Sequence, residues 1–131
     1  MNLGVIGFGF VGKALVQGFS LVKDIDIKIY DIKEQVDTFE ETVDNSDIIF
    51  LCLPTPMEKA DGGKIDLSII DSVVEKIGKH LNYESSKVIV IRSTVVPGTT
   101  RKYANKYPKM HFVFNPEFLT ERMARLDFIN T

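Results

Sequence analysis

Five short apolar segments alternate along this chain with segments whose apolar residues have helical spacing. Such alternation is typical of a parallel sheet whose strands are joined by right-handed helical crossovers. At 131 residues the chain has the size of one domain. The sequence therefore predicts a doubly wound α/β domain over residues 1–131. The predicted strands are Leu3–Ile6, Ile25–Tyr30, Ile48–Leu53, Lys87–Arg92 and His111–Phe114.

Four helices are predicted to follow the first four strands. Thr38-Phe39-Glu40-Glu41 has the form of a capping box, which favours a short helix of about two turns ending near Asn45. Asp66 can cap the third helix, and Ile69 is predicted to lie on its buried face. The other predicted helical segments are Lys13–Val22, Leu67 to about Leu81, and about ten residues from Thr99.

Charge and cysteine content argue against several classes of protein. Sixteen Lys and Arg against eighteen Asp and Glu give a net charge of −2, which disfavours nucleic-acid binding through a basic surface. The lone cysteine, Cys52, excludes an intrachain disulfide, and with two histidines it makes no credible zinc cluster. The longest apolar run, Ile48–Pro54, is far shorter than the ~20 residues that span a bilayer. We therefore expect a cytoplasmic protein without a metal, in which Cys52 is a buried apolar residue of the third strand.

Distinctive residues follow the carboxyl end of every predicted strand. In doubly wound sheets, ligands bind beyond these strand ends, so the sequence predicts one shared site there. After the third strand, the polar stretch through Asp61-Gly62-Gly63 predicts a loop. The strand-end residues are the glycine loop Gly7–Gly12, then Asp31, Pro54-Thr55-Pro56, Ser93-Thr94 and Asn115-Pro116-Glu117.

The glycine loop has the spacing of a dinucleotide-binding turn. Gly7 permits a tight turn, Gly9 lets the backbone approach a pyrophosphate, and Gly12 lets the following helix pack on the sheet. The N–H groups of Phe10 and Val11 are predicted to bind phosphate at the positive end of the helix. The whole loop, Gly7-Phe8-Gly9-Phe10-Val11-Gly12, is therefore a candidate cofactor site.

Asp31 is the candidate selector of the cofactor. Its carboxylate can accept two hydrogen bonds from an adenine-ribose diol, and its charge repels a 2′-phosphate, which favours NAD over NADP. Lys33 lies two residues further on and could touch a phosphate. The alternative interpretation is a solvated aspartate at a strand end.

Hydroxyl and carboxyl groups follow the later strands. Thr55, Ser93 and Thr94 offer hydroxyls where a nicotinamide ribose would lie, although each residue alone is also common in caps and loops. Glu117 is the best-placed carboxylate for acid–base catalysis. The alternative interpretation is an ordinary surface glutamate.

Together these motifs resemble the UDP-glucose/GDP-mannose dehydrogenases, which oxidise a sugar-nucleotide alcohol to a carboxylate with two NAD. The resemblance implies a Rossmann-like NAD-binding domain, a nucleotide-sugar substrate and a full-length enzyme that is a dimer or a larger oligomer. The matching residues are Gly7–Gly12, Leu53-Pro54-Thr55-Pro56, Asp66-Leu67-Ser68, Arg92-Ser93-Thr94-Val95-Val96-Pro97-Gly98-Thr99-Thr100 and Asn115-Pro116-Glu117-Phe118-Leu119.

The same resemblance implies a role for each matching residue. Phe10, Val11 and Asp31 would bind the adenosine half of NAD. Glu117 would assist the acid–base steps around thioester formation and hydrolysis. The nicotinamide half would be surrounded by Thr55, Ser93, Thr94 and Glu121, and the substrate would face Glu117, Phe118 and Leu119.

The chain departs from the family pattern in three places. The segment between Asp31 and Ile48 is short, which predicts a reduced or missing third strand with Val36 as its remnant. Arg122 stands where the family usually has glycine. The family's catalytic cysteine, its lysine partner, the dimer helix and the sugar-nucleotide domain would lie beyond Thr131, and Cys52 cannot replace that cysteine.

We therefore expect the chain alone not to complete the four-electron oxidation. Two other interpretations remain open from the sequence: the NAD domain of another β-hydroxyacid-type dehydrogenase, and a non-catalytic NAD-binding module.

Overall fold

Strands and helices of the structure alternate as the sequence predicts. This computed structural model describes residues 1–34, 36–117 and 129. Its strands are β1 (Asn2–Ile6), β2 (Asp26–Tyr30), β3 (Ile48–Leu51), β4 (Met57–Glu58), β5 (Lys64–Ile65), β6 (Val88–Ile91) and β7 (His111–Phe114). Its helices are α1 (Phe10–Phe19), α2 (Phe39–Asp44), α3 (Ser68–His80) and α4 (Thr99–Lys106), with a 3-10 turn at Lys59–Asp61. None of the described helices is long and apolar enough to cross a membrane.

Five strands pair in parallel in the order β2-β1-β3-β6-β7, which confirms the predicted doubly wound α/β sheet. Ile6, Leu51, Ile91 and Phe114 are aligned across the last residues of four strands. The chain runs from β1 outward to β2 and then crosses to β3 on the other side of β1. This reversal places a topological switch point between β1 and β3, where open α/β sheets form their ligand crevice.

The main hydrophobic core lies on the sheet face that α2, α3 and α4 cover. The alternation of side chains along the strands places Ile6, Leu51 and Ile91 on this face, and Leu3 and Val5 on the other. On that second face, Phe19 of α1 packs on Phe50 with 5.8 Å between ring centroids. The residues that these helices and the end of α4 contribute to the main core are Phe39, Val43, Ile70, Val74, Ile77, Tyr103 and, directly after α4, Tyr107.

Two helices differ from the prediction, α1 in its limits and α3 in its buried face. α1 begins at Phe10, within the glycine loop and three residues before the predicted start at Lys13, and it ends at Phe19. Val22, the predicted last residue of this helix, therefore lies beyond it and is 52% exposed. Ile69 is 39% exposed, because the buried stripe of α3 follows the spacing of Ile70, Val74 and Ile77.

The connection after β3 also differs from the prediction. The strand ends at Leu51, two residues early, because the N–H of Leu53 bonds to the Ser93 hydroxyl instead of a neighbouring strand. The predicted loop through Asp61-Gly62-Gly63 contains an antiparallel hairpin of β4 and β5. Gly62 and Gly63 both have positive φ, 70° and 83°. Glycine adopts such angles readily, and they allow the chain to turn back tightly between β4 and β5.

The capping box predicted before α2 is present. The Thr38 hydroxyl accepts the Glu41 N–H at 3.1 Å, and the Glu41 carboxylate accepts the Thr38 N–H at 3.0 Å. These reciprocal bonds satisfy two N–H groups at the start of a helix of six residues. They explain how so short a helix begins at a defined residue.

β2 forms an edge of the sheet, because no strand occurs among the described residues between it and α2. Val36, the expected remnant of a further strand, is exposed. Asp37 occupies the free edge in its place: its N–H donates to the Ile29 carbonyl at 2.9 Å, and its carboxylate accepts the Ile29 N–H at 2.8 Å. Lys28 lies 3.7 Å from the same carboxylate. One residue thus makes both of the bonds that a neighbouring strand would make at Ile29.

We predict that Asp37→Ala lowers the free energy of unfolding by about 1–3 kcal/mol, since the Ile29 N–H would lose its charged acceptor. Asp37→Asn is the matched control, because its amide oxygen still accepts that N–H. Urea denaturation of the three proteins measures the difference. Equal stabilities of Asp37→Ala and the unaltered chain would show that the edge bonds contribute nothing.

Candidate functional site

The candidate site is the edge of the sheet where all five parallel strands end, which we call the carboxyl edge. The glycine loop follows β1, and Asp31 follows β2 directly. Thr55 follows β3, Ser93 follows β6, and the turn from Asn115 follows β7. The predicted site residues that the structure describes therefore lie at one edge, either on loops or, for Phe10, Val11 and Gly12, at the start of α1. Phe118, Leu119, Glu121 and Arg122 lie outside the described residues.

Two glycines of the loop are required by close backbone packing. Gly7 has φ of 97°, and a Cβ built there would lie 2.2 Å from the Cys52 carbonyl oxygen. A Cβ on Gly12 would lie 2.1 Å from the Gly7 carbonyl oxygen. Both contacts are far shorter than a carbon atom allows, so the tight turn and the close approach of α1 depend on glycine, as predicted.

Gly9 differs from these two because a Cβ there would meet no atom within 4 Å. It is the N-cap of α1, and its carbonyl accepts the Lys13 N–H at 2.9 Å. The N–H groups of Phe10 and Val11 precede that first helical bond, so they have no acceptor within the helix. No acidic residue stands in the first turn. This combination of open space, free donors and a positive helix end fits a pyrophosphate.

Asp31 is bound to the glycine loop by its side chain. One carboxylate oxygen accepts the Phe8 N–H at 2.8 Å, and the other accepts the N–H groups of Lys33 at 2.7 Å and Glu34 at 3.2 Å. Partial burial opposes ionisation of this carboxyl, but the three backbone hydrogen bonds outweigh it and hold its pKa below the ordinary value. Three of the roughly four acceptor positions of a carboxylate are thus used, leaving about one for a ribose hydroxyl.

A second connection joins the same two loops. Lys13 Nζ lies 3.1 Å from the Glu34 carboxylate and 5.4 Å from the centre of the Phe8 ring. Phe8 and Glu34 are two of the three residues whose N–H groups bond to Asp31. Phe8, Asp31, Glu34 and Lys13 therefore form a ring of contacts that joins the glycine loop, the first turns of α1 and the loop after β2.

The three predicted hydroxyl residues occupy different surroundings. Ser93 is buried, and its hydroxyl accepts the Leu53 N–H at 2.9 Å and lies 3.4 Å from the Leu51 carbonyl. It joins the ends of β3 and β6 and retains one lone pair for a ligand. Thr94 is exposed and Thr55 is partly buried. Their contacts with a nicotinamide ribose remain predictions.

Arg92 is a site residue that sequence reasoning did not single out. It is buried, and its guanidinium donates a hydrogen bond to the side-chain oxygen of Asn115. The Asn115 N–H also donates to the Ile91 carbonyl at 3.1 Å. Arg92 thereby fixes the turn that carries Glu117, which is partly buried. A charged residue at the end of an apolar strand was the signal that could have identified it.

Cys52 lies next to this group and is not a nucleophile. It follows β3 by one residue and is partly buried, so its predicted position within the strand is wrong. Burial raises the pKa of the thiol to about 12; the Arg92 guanidinium lowers it, and the Glu117 carboxylate adds to the rise. The thiol therefore stays protonated and unreactive at neutral pH. Within the described residues, no group of three or more His, Cys, Asp or Glu side chains could hold a metal ion.

The lowered pKa of Asp31 predicts how the stability of the fold depends on pH. Because the folded carboxyl has a pKa below its ordinary value of 3.8, its contribution to stability is complete above that pH. It disappears as the pH falls through the folded-state pKa. Asp31→Asn should lower the free energy of unfolding by about 1–2 kcal/mol at neutral pH. This deficit should shrink as the pH falls below the ordinary pKa of 3.8.

Urea denaturation of both proteins, from about pH 7 down to about pH 2.5, measures that deficit. A deficit that stays constant over the whole range would contradict the role given to the charged carboxylate.

Comparisons with known proteins identify the family. The family model described as "UDP-glucose/GDP-mannose dehydrogenase family, NAD binding domain" matches residues 32–131. GDP-mannose 6-dehydrogenase of Pseudomonas aeruginosa is 35% identical over 69% of this chain and 23% of its own length. UDP-glucose 6-dehydrogenase of Rickettsia prowazekii is 28% identical over 98% of this chain and 37% of its own length. Protein MJ1054 of Methanocaldococcus jannaschii, described as uncharacterized, is 37% identical over 99% of this chain and 18% of its own length.

This chain thus spans between 18% and 37% of the length of these relatives. The alignment with the R. prowazekii enzyme extends over 164 positions, so it contains gaps opposite this shorter chain. A crystal structure of a ternary complex of GDP-mannose dehydrogenase from P. aeruginosa has the same fold, with a TM-score of 0.80 and 24% identity over 98% of this chain and 38% of that one. The chain therefore belongs to the UDP-glucose/GDP-mannose dehydrogenase family, with the Rossmann-like fold of its NAD-binding domain.

Proposed function

We propose that residues 1–131 are the NAD-binding domain of a nucleotide-sugar 6-dehydrogenase. The full enzyme would oxidise the C6 alcohol of a sugar nucleotide such as UDP-glucose to a carboxylate with two NAD. The observation that carries the proposal is the open space at Gly9 beside the free N–H groups at the start of α1. The names of the relatives, UDP-glucose and GDP-mannose 6-dehydrogenases, support the substrate class.

Each end of the cofactor has its own set of residues in this proposal. Bound NAD would supply the hydride acceptor. The N–H groups of Phe10 and Val11 bind its pyrophosphate, and Asp31 accepts one adenine-ribose hydroxyl directly. The hydroxyls of Thr55, Ser93 and Thr94, together with Glu121, surround the nicotinamide half.

Glu117 is the proposed acid–base residue, facing the substrate with Phe118 and Leu119. The hydrogen bond from the buried Arg92 to Asn115, two residues before Glu117, supports this role because it holds the start of the same turn at the carboxyl edge. A carboxylate held there can orient water and accept a proton from it. We also propose a cytoplasmic location, because a lone, partly buried thiol at Cys52 suits a reducing compartment.

We predict that the chain binds NAD saturably and more tightly than NADP in a calorimetric titration. Gly9→Val fills the open space and should weaken NAD binding at least about tenfold, since a loss of 1.4 kcal/mol gives that factor. Circular dichroism provides the control that this variant keeps its fold, as the absence of neighbouring atoms at Gly9 leads us to expect. A folded chain that binds neither dinucleotide, or an unaffected Gly9→Val, would contradict the proposed site.

We also predict that the 131-residue chain alone forms no NADH from NAD and UDP-glucose. The family resemblance assigns the covalent steps to a cysteine that Cys52 does not replace, because its thiol has a pKa of about 12. Absorbance of NADH over time measures turnover directly. Steady turnover would show that these residues contain a complete catalytic site.

A further inference from the structure

We propose that the ion pair between Lys13 and Glu34 is a determinant of cofactor specificity that acts together with Asp31 to exclude NADP. Glu34 holds the ammonium group of Lys13, and without Glu34 that group would bind the 2′-phosphate of NADP. This inference rests on the proposed function, because it concerns the adenosine end of the same dinucleotide site.

The position of the pair follows from Asp31. An acidic residue at the end of the second strand marks where the adenine ribose lies in this fold. Glu34 donates its own N–H to that carboxylate at 3.2 Å, so its backbone is adjacent to the ribose position. Its side chain then reaches Lys13 Nζ at 3.1 Å. The pair therefore lies between the ribose position and the first turns of α1.

Local charge balance gives Glu34 its importance. Asp31 and Glu34 carry two negative charges, and Lys13 and Lys33 carry two positive charges. Lys33 exerts an attractive charge effect on Asp31, the smallest of the influences that lower the pKa of that carboxyl. The net charge of these four groups is thus zero, and a phosphate monoester of about −2 gains nothing by entering. Removing the charge of Glu34 leaves a net charge of +1 facing the phosphate.

Asp31 alone does not provide this exclusion. Its carboxylate already accepts three backbone N–H groups, which partly neutralise its field toward a ligand. The side chains of Lys13 and Glu34 are 48% and 47% exposed, so solvent screens the two charges and their attraction is weak. A 2′-phosphate would draw Lys13 away if Glu34 were not charged. The specificity therefore depends on a second carboxylate as well as the first.

The test compares the affinities of NAD and NADP for the chain and three variants. Glu34→Gln should tighten NADP binding about threefold to tenfold and leave NAD binding within about twofold, as expected for a phosphate meeting one freed surface cation. The double variant Lys13→Gln with Glu34→Gln should lose that gain, which identifies Lys13 as the phosphate ligand. Raising the salt concentration should also reduce the gain.

Glu84→Gln is the matched control. Glu84 lies 3.5 Å from Lys109 in a more exposed ion pair, on the turn after α3 and far along the chain from the glycine loop. It should change neither affinity, although it alters the net charge by the same amount. A gain in NADP affinity shared by Glu84→Gln would assign the effect to overall charge and overturn the inference.

The remaining outcomes separate this inference from the proposed function. If the unaltered chain binds NAD but Glu34→Gln keeps the original ratio of the two affinities, the proposed function stands and the ion pair is not a determinant. The same conclusion follows if the double variant retains the gain. If the folded chain binds neither dinucleotide, both proposals are overturned.

Discussion

The contact between Gly12 and the Gly7 carbonyl is the constraint on which the rest of the carboxyl edge depends. It brings the start of α1 against the end of β1, closer than any side chain would permit. Because α1 begins there, the Phe8 N–H can reach Asp31 and Lys13 can reach Glu34. The loop after β2 is thus positioned by hydrogen bonds that begin in the loop after β1. A change at either glycine would disturb both the loop after β1 and the loop after β2, which together form the proposed adenosine site.

Much of the fold could be predicted because local sequence and tertiary structure agree. The apolar segments mark the parallel strands, and Thr38 and Glu41 specify the start of α2 by themselves. The end of β3 could not be predicted, since it depends on a hydroxyl of Ser93 that is distant in sequence. The start of α1 was missed because glycine and phenylalanine give a weak helix signal, and the packing of Gly12 decides it.

The site divides in a similar way. The residues at the strand ends are recognisable from the glycine spacing and the polar residues that follow apolar segments. The contribution of Arg92 was not recognisable from the sequence, because it depends on a hydrogen bond to Asn115, which follows the neighbouring strand. Ser93 also has more than one role, as its hydroxyl joins two strand ends as well as lying at the predicted nicotinamide side. Motif matching finds such residues, but only the structure shows which of their atoms are already engaged.

The substitution of one aspartate for a whole strand has a consequence for how this fold changes in evolution. Every strand inside a sheet bonds to two neighbours, whereas β2 pairs with β1 alone, and Asp37 bonds the N–H and carbonyl of Ile29 on its free edge. A strand and its connection can therefore be gained or lost at this margin without repairing the centre of the sheet. The number of strands on the proposed adenosine side of the sheet can therefore vary, whereas the glycine turn next to it cannot change without a clash between backbone atoms.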